Sequence, residues 1–305
     1  MDPSPPPKMG PPLPGAGATR HTFRGARVAI VVALTLVVVV AVVGIPAALL
    51  TRGSHSGASG RASSSSAAAA PIASPVAVYQ QALAATRATT GFHYVAVTAG
   101  GGADQRIVGD AAPDGGTQVI TFDSNYGAEQ FTLVLASGTV YFQGNAAALE
   151  DQLGVAPAAS PGLQGKWISV SAGDGPYNVL APGITIADQV QQLALMPTSA
   201  TAVKGPDGTA ATRILGTVPP QNGSPAGTGR LDVPAGTYLP ISFASTVTGG
   251  GGTVTSTTTF SGWGTPASVA IPPGAVAWST LGASPPSGGF GGGGGQPQPS
   301  PPQIM

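Results

Sequence analysis

Few residues of this chain could do chemistry. The 305 residues include three histidines and no cysteine, so disulfides and cysteine-ligated metals are excluded. His93 lies between Phe92 and Tyr94 in a segment that predicts a strand, and no nearby spacing supplies the partners that a metal site or an acid–base pair would need. We therefore expect a histidine without a catalytic role and no bound metal.

Sequence motifs for catalysis or nucleotide binding are absent as well. The chain has no GxSxG, Walker A or HExxH pattern, and the nearest lookalike, GSHSG at residues 53–57, has histidine at its centre. Asx turns are the default explanation for the aspartates that adjoin glycine or fall in predicted turns, namely Asp104, Asp110, Asp114, Asp123 and Asp207. The sequence therefore predicts no enzyme and no cofactor.

The elements that carry these residues are mostly short strands. A helix is predicted over residues 74–91, where Ser74 is a suitable N-cap, and two more over 145–153 and 185–195. Strands rich in β-branched and aromatic residues are predicted at 92–98, 106–111, 117–123, 129–136, 139–144, 198–204, 211–218, 229–235, 238–245 and 252–264. Because helices fall before and between runs of strands, the pattern indicates an α+β domain with an antiparallel sheet.

A membrane anchor is predicted near the N-terminus. Residues 28–50 form an uncharged apolar run of 23 residues, long enough as a helix to cross a hydrocarbon core of about 30 Å. Basic residues precede it at Lys8, Arg20, Arg24 and Arg27, which by the positive-inside rule keeps residues 1–27 in the cytoplasm and the rest outside the cell membrane. A cleaved signal peptide is the alternative.

Composition divides the rest of the chain. Residues 1–27 are proline-rich, 51–74 form a Ser/Ala/Gly linker, and 283–305 are a Gly/Pro-rich tail; all three predict disorder. One domain is left, over residues 75–282. The domain has an acidic excess, while the basic excess lies beside the apolar run, and this distribution argues against nucleic-acid binding.

Several segments of the domain together resemble a known family. The segments are IVGDAAPDGG, GTVYFQGN, GKWISV, GRLDVPAGTYLPISFAS and TFSGWGTPASVAIPPGAV, with Trp167, Leu239, Pro240, Phe260 and Trp263 at recurring positions. They are similar to the actinobacterial LppX and LprG lipoproteins of the LolA-like half-barrel group. The resemblance implies a curved antiparallel sheet with helices over its concave face, enclosing a cavity for acyl chains. The sequence departs from the family where the lipidated cysteine would stand, since a transmembrane helix replaces it.

Alternating strand faces and the helix faces supply the lining of such a cavity. The expected lipid-binding residues are Tyr79, Leu83, Phe131, Leu133, Leu135, Phe142, Trp167, Ile186, Val190, Leu193, Leu239, Ile241 and Phe243. The predicted function is a membrane-anchored extracytoplasmic binding protein for lipid or another apolar envelope ligand, with an acylated lipid or lipoglycan as the implied partner beside the membrane. An envelope interaction or scaffold protein with a filled core is the alternative, and a hydrolytic enzyme ranks far behind both.

Thiol labelling tests the predicted topology. Since the chain has no cysteine of its own, Ser54→Cys introduces a single thiol on the expected outer side, and Ser4→Cys introduces one on the expected inner side. An impermeant maleimide should label the first variant on intact cells and the second only after lysis. The opposite pattern would reverse the topology, and a mature chain beginning near residue 49 would show a cleaved signal.

Overall fold

The computed structural model describes residues 74–124, 127–220, 225–250 and 252–284. The predicted transmembrane helix, the linker up to residue 73 and the tail from residue 285 lie outside these ranges. Within the described ranges, no helix is both long and apolar enough to cross a bilayer.

The described residues form one twelve-stranded sheet and five short α-helices. The strands are β1 (Phe92–Gly100), β2 (Ala103–Ala112), β3 (Gly115–Ser124), β4 (Gly127–Ala136), β5 (Thr139–Gly144), β6 (Ile168–Val170), β7 (Met196–Lys204), β8 (Ala210–Val218), β9 (Gly227–Pro234), β10 (Ser242–Gly249), β11 (Gly252–Ser261) and β12 (Val276–Ala277). The helices are α1 (Pro75–Arg87), α2 (Ala146–Leu153), α3 (Ser160–Leu163), α4 (Tyr177–Leu180) and α5 (Ile186–Gln192), and a 3₁₀ turn covers Trp278–Thr280.

Two antiparallel meanders join side by side to make the sheet. Its order is β12-β6-β5-β4-β3-β2-β1-β11-β10-β9-β8-β7, and β1 pairs with β11 in the middle, with Tyr94 opposite Phe260. Every pair is antiparallel except the parallel pair of β12 with β6. The sheet is curved and does not close, since β12 and β7 do not pair with each other. This architecture agrees with the predicted α+β half-barrel class.

Helix capping follows the sequence signals. The Asn145 side chain accepts a hydrogen bond from the backbone N–H of Ala148, and Gly154 ends α2 in the left-handed region at a φ of 65°. Thr185 and Asp188 form a capping box at the start of α5. Ser74 precedes α1 as expected but makes no side-chain capping bond.

The strand predicted at residues 238–245 begins later than expected. Tyr238 has a φ of 58°, outside the range of extended backbone, and Pro240 has no N–H to give to a ladder. β10 therefore starts at Ser242, so Leu239 and Ile241 lie before the strand. The predicted helix at 185–195 also ends early, at Gln192. α3, α4, β6 and β12 were not predicted, because two to four residues carry no readable periodicity.

Alternation along the strands divides the sheet into two faces. On β4, Phe131, Leu133 and Leu135 are buried on one face, while Gln130 and Thr132 point to the other. The helices cover the first face, which we call the concave face, and the opposite face, called convex, is the more exposed.

A long connection crosses one end of the sheet. Residues 262–275 leave β11 in the middle and reach β12 at the outer edge, beside β6. On the way, the backbone N–H of Gly264 donates to the carbonyl of Gly91 at 2.9 Å, and Val276 donates to the carbonyl of Trp167 at 2.9 Å. This C-terminal strap thus ties the central strands to the edge.

A glycine on β2 makes room for the central tyrosine. A Cβ at Gly109 would lie 2.6 Å from Cζ of Tyr94 and 2.8 Å from the carbonyl oxygen of Thr117. We expect Gly109→Ala to lower the free energy of unfolding by about 1–3 kcal/mol, because the buried ring has no space to retreat. Urea unfolding measures the change, and Gly173→Ala, where a Cβ would meet nothing within 4 Å, is the control. Equal stabilities of the two variants would contradict the packing argument.

Candidate functional site

The concave face carries two separate apolar clusters. The first, which we call the α1 cluster, lies under α1 and α5 and consists of Val78, Tyr79, Ala82, Leu83, Phe92, Tyr94, Ala111, Ile186, Val190, Leu193, Leu195, Ile214, Leu231, Val233, Phe243 and Phe260. The second, the α2 cluster, consists of Ile120, Phe131, Leu133, Leu135, Val140, Phe142, Ala148, Leu149, Leu153, Val155, Ile168, Val170, Leu180, Ile184 and Trp278. Ile107, which is partly buried, packs against both.

A tyrosine on α1 bonds that helix to the segment that follows α5, over the α1 cluster. The Tyr79 hydroxyl on α1 donates to the carbonyl of Leu193 at 3.0 Å and accepts from the N–H of Leu195 at 3.1 Å. Burial raises the pKa of the Tyr79 hydroxyl, so it remains a donor at neutral pH. One side chain therefore holds α1 to the segment that follows α5.

The α2 cluster is closed from the C-terminal side. Phe131 and Phe142 stack with ring centroids 5.2 Å apart, beneath α2. The indole N–H of Trp278 donates to the carbonyl of Leu153 at 2.9 Å, so the 3₁₀ turn after β12 is fixed to the end of α2. Neither β12 nor Trp278 was predicted to take part in this cover.

A buried polar group of side chains lies where β1 and β3 meet the loop before α5. The carbonyl oxygen of Gly183 accepts from Nε2 of Gln118 at 2.7 Å, Nε2 of Gln189 at 2.6 Å and the hydroxyl of Tyr94 at 3.3 Å. Nε2 of Gln118 also donates to the Tyr94 oxygen at 2.6 Å. We call this group the Gly183 hub. It ties β1, which contributes to the α1 cluster, and β3, which contributes to the α2 cluster, to one loop carbonyl.

Ten of the thirteen expected lining residues lie in these clusters. Each is at most 8% exposed: Tyr79, Leu83, Ile186, Val190, Leu193 and Phe243 in the α1 cluster, and Phe131, Leu133, Leu135 and Phe142 in the α2 cluster. The structure does not bring all ten together, because they divide between two clusters. Trp167, Leu239 and Ile241 are half-buried and belong to neither cluster.

A buried carboxyl group also lies on the concave face. Glu129 is 7% exposed, and its Oε2 accepts from Nε2 of Gln152 on α2 at 2.9 Å. Burial, with a smaller contribution from the nearby Asp151 carboxylate, raises the pKa of Glu129 to about 7. The sequence prediction missed this residue, although alternation with Phe131 and Leu133 assigns it to the same face.

On the convex face, the register aligns polar residues of four neighbouring strands. His93 lies opposite Ser261 on β11 and Asp110 on β2, and Asp110 lies opposite Thr117 on β3. Nδ1 of His93 is 2.9 Å from Oδ1 of Asp110. The sequence prediction missed this pair because only strand register reveals it. The row is solvent-facing, with the His93 side chain 40% exposed and that of Asp110 49% exposed.

The described part of the chain has no candidate metal site, because no three of its His, Asp or Glu side chains lie close enough to hold an ion. The expected absence of catalysis at His93 stays a prediction.

Comparisons with known proteins give a distant likeness only. No family model and no curated protein matches the chain. Among solved structures, it is similar to a hypothetical protein from Chlamydia trachomatis at 12% identity and a TM-score of 0.29, over 64% of this chain and 96% of that one. It is also similar to a DUF1329 family protein from Desulfovibrio piger at 12% identity and a TM-score of 0.24, over 65% and 94% of the two chains. Membership of the LppX and LprG family stays a prediction.

Glu129 should make stability depend on pH. The pKa of Glu129 is higher in the folded chain than the usual 4.5, so the folded state binds its proton more tightly than the unfolded state does. The contribution of this group to the free energy of unfolding is therefore complete below about pH 4.5 and is lost as the pH rises through about 7. The loss should be on the order of 1–3 kcal/mol at about 1.4 kcal/mol per pKa unit, and Glu129→Gln should abolish it.

Urea unfolding at pH 5 and pH 8 measures this difference. Asp123→Asn serves as the control, because it changes an exposed carboxylate on the neighbouring β3. This variant should show the same change in the free energy of unfolding between pH 5 and pH 8 as the wild type. If the free energy of unfolding depended on pH equally in the wild type and in Glu129→Gln, the Glu129 carboxyl would be ionised in the folded chain.

Proposed function

We propose that this chain is a membrane-anchored extracytoplasmic protein that binds lipid or another apolar envelope ligand on the concave face of its sheet. The anchor is the apolar run at residues 28–50, and the four basic residues before it support the orientation. The domain works as a binding module without catalysis. Localisation at the cell membrane, with the domain outside, follows from the same proposal.

The observation that carries this proposal is how the apolar clusters are covered. An unclosed sheet presents both clusters on one face, and the longest helix over them, α1, has 13 residues. In this proposal the helices open as local units while the sheet stays folded. An acyl chain that entered under them would gain about 0.8 kcal/mol for each buried methylene, replacing the helix contacts it displaced.

The same burial supports the second candidate, a scaffold or interaction protein with a filled core. The ten expected lining residues that lie in the clusters are already at most 8% exposed, so their side chains are covered by protein atoms. A ligand-binding protein must therefore open one cluster, whereas a scaffold never needs to. The two candidates differ in whether a ligand can reach Leu133 or Phe243.

Photolabelling of the full chain in its own membrane distinguishes them. We expect a photoreactive fatty acid to label peptides of β4 or β10, and an excess of unlabelled fatty acid to compete. Leu133→Asp places a charge in the α2 cluster and should abolish labelling there. Thr132→Asp is the control, because Thr132 directly precedes Leu133 on β4 and faces the convex side, so labelling should persist.

Folding of both variants is checked by protease resistance of the domain. If folded wild-type protein shows no competable labelling on either strand, the filled-core candidate stands and lipid binding is wrong. A hydrolytic product that disappears with His93→Gln would instead show an enzyme.

A further inference from the structure

A depression on the convex face lies over four strands at one end of the sheet. It has a volume of about 500 Å³, and the residues that bound it include Leu215, Thr217, Thr228, Arg230, Ala244 and Thr246. Leu215, Arg230 and Ala244 alternate with the buried residues Ile214, Leu231 and Phe243, so their side chains point away from the α1 cluster. This site is therefore separate from the concave face.

Arg230 supplies the charge of this depression. Its Nε is buried and has no hydrogen-bond partner among the described residues, although the side chain as a whole is 43% exposed. The nearest acid is Asp232, whose Oδ2 is 3.7 Å from that Nε and therefore beyond hydrogen-bond distance. Since protein atoms cover this Nε, only the exposed part of the Arg230 side chain is open to a ligand.

The Asp232 carboxylate is already occupied by other groups. Arg213 donates to both of its oxygens, from Nε at 2.8 Å and from Nη2 at 3.0 Å, and the Ser242 hydroxyl lies 3.4 Å from Oδ2. Two guanidinium groups thus share one carboxylate, which leaves one positive charge in excess. This excess stands out because the described residues as a whole carry six basic and eleven acidic side chains.

Hydroxyl groups stand beside that charge. Thr217, Thr228 and Thr246 lie opposite one another on three adjacent strands, and no hydrogen bond of their hydroxyls occurs within the described part of the chain. Threonine is common in strands for packing reasons alone, so the row by itself indicates nothing. Together with Arg230, it provides several donors around one depression.

We propose that this depression binds an oxyanion of the phosphate type, with the Arg230 guanidinium as its main ligand and the threonine hydroxyls as further donors. A guanidinium presents parallel N–H groups that match two oxygens of a phosphate. Leu215, 40% exposed, and Ala244 offer an apolar wall to a group esterified to that phosphate. The anion is either free phosphate or the headgroup of a phosphate ester.

Titration of the full chain in neutral detergent, labelled with ¹⁵N-arginine, tests the proposal. Inorganic phosphate should shift the Arg230 Nε–H resonance in a saturable way, while that of Arg213, already bonded to Asp232, should move less. Arg230→Gln should weaken phosphate binding at least tenfold, and Thr228→Val several-fold. Arg106→Gln, which removes an exposed arginine from β2, should leave it unchanged.

The remaining arms identify the source of the anion. Glycerol 3-phosphate binding more tightly than inorganic phosphate would support an ester headgroup, and the reverse order would support the free ion. Unsaturable shifts, an equal response to chloride, or the same affinity in Arg230→Gln with an unchanged thermal midpoint would each overturn the proposal.

Discussion

The carbonyl oxygen of Gly183 is the point on which the concave side depends. Two glutamine amides and one tyrosine hydroxyl converge on it, from β3, α5 and β1. Buried donors of this kind are costly to leave unpaired, at about 1–3 kcal/mol each, so the loop before α5 cannot shift without a large penalty. That loop sets the position of Ile184 in one cluster and Ile186 in the other.

This constraint explains why the apolar face is divided. The α1 cluster receives its cover from α1 and α5, and Tyr79 bonds α1 to the segment that follows α5. The α2 cluster receives its cover from α2 and from the C-terminal turn at Trp278. Each cluster therefore has its own cover, and the polar hub lies between them.

Much of this could be predicted from sequence, because local rules dominate it. Alternation at Phe131, Leu133 and Leu135 identified the buried face, and the caps at Asn145 and Thr185 identified two helix starts. The Gly183 hub could not be foreseen, since a loop carbonyl has no residue-type signature. Likewise, the contacts of Asp110 with His93 and of Asp232 with Arg213 depend on strand register, which the sequence pattern leaves open.

The C-terminal strap and the 3₁₀ turn that follows β12 complete the core late in synthesis. Trp263 packs against the α1 cluster, and Trp278 belongs to the α2 cluster. Both clusters include residues before position 125, yet both are completed only by residues beyond 260. Contacts so distant along the chain form slowly, and a polypeptide is synthesised from its N-terminus. Until its last thirty or so described residues emerge, the growing domain exposes open strand edges and apolar faces, the surfaces through which partly folded chains associate.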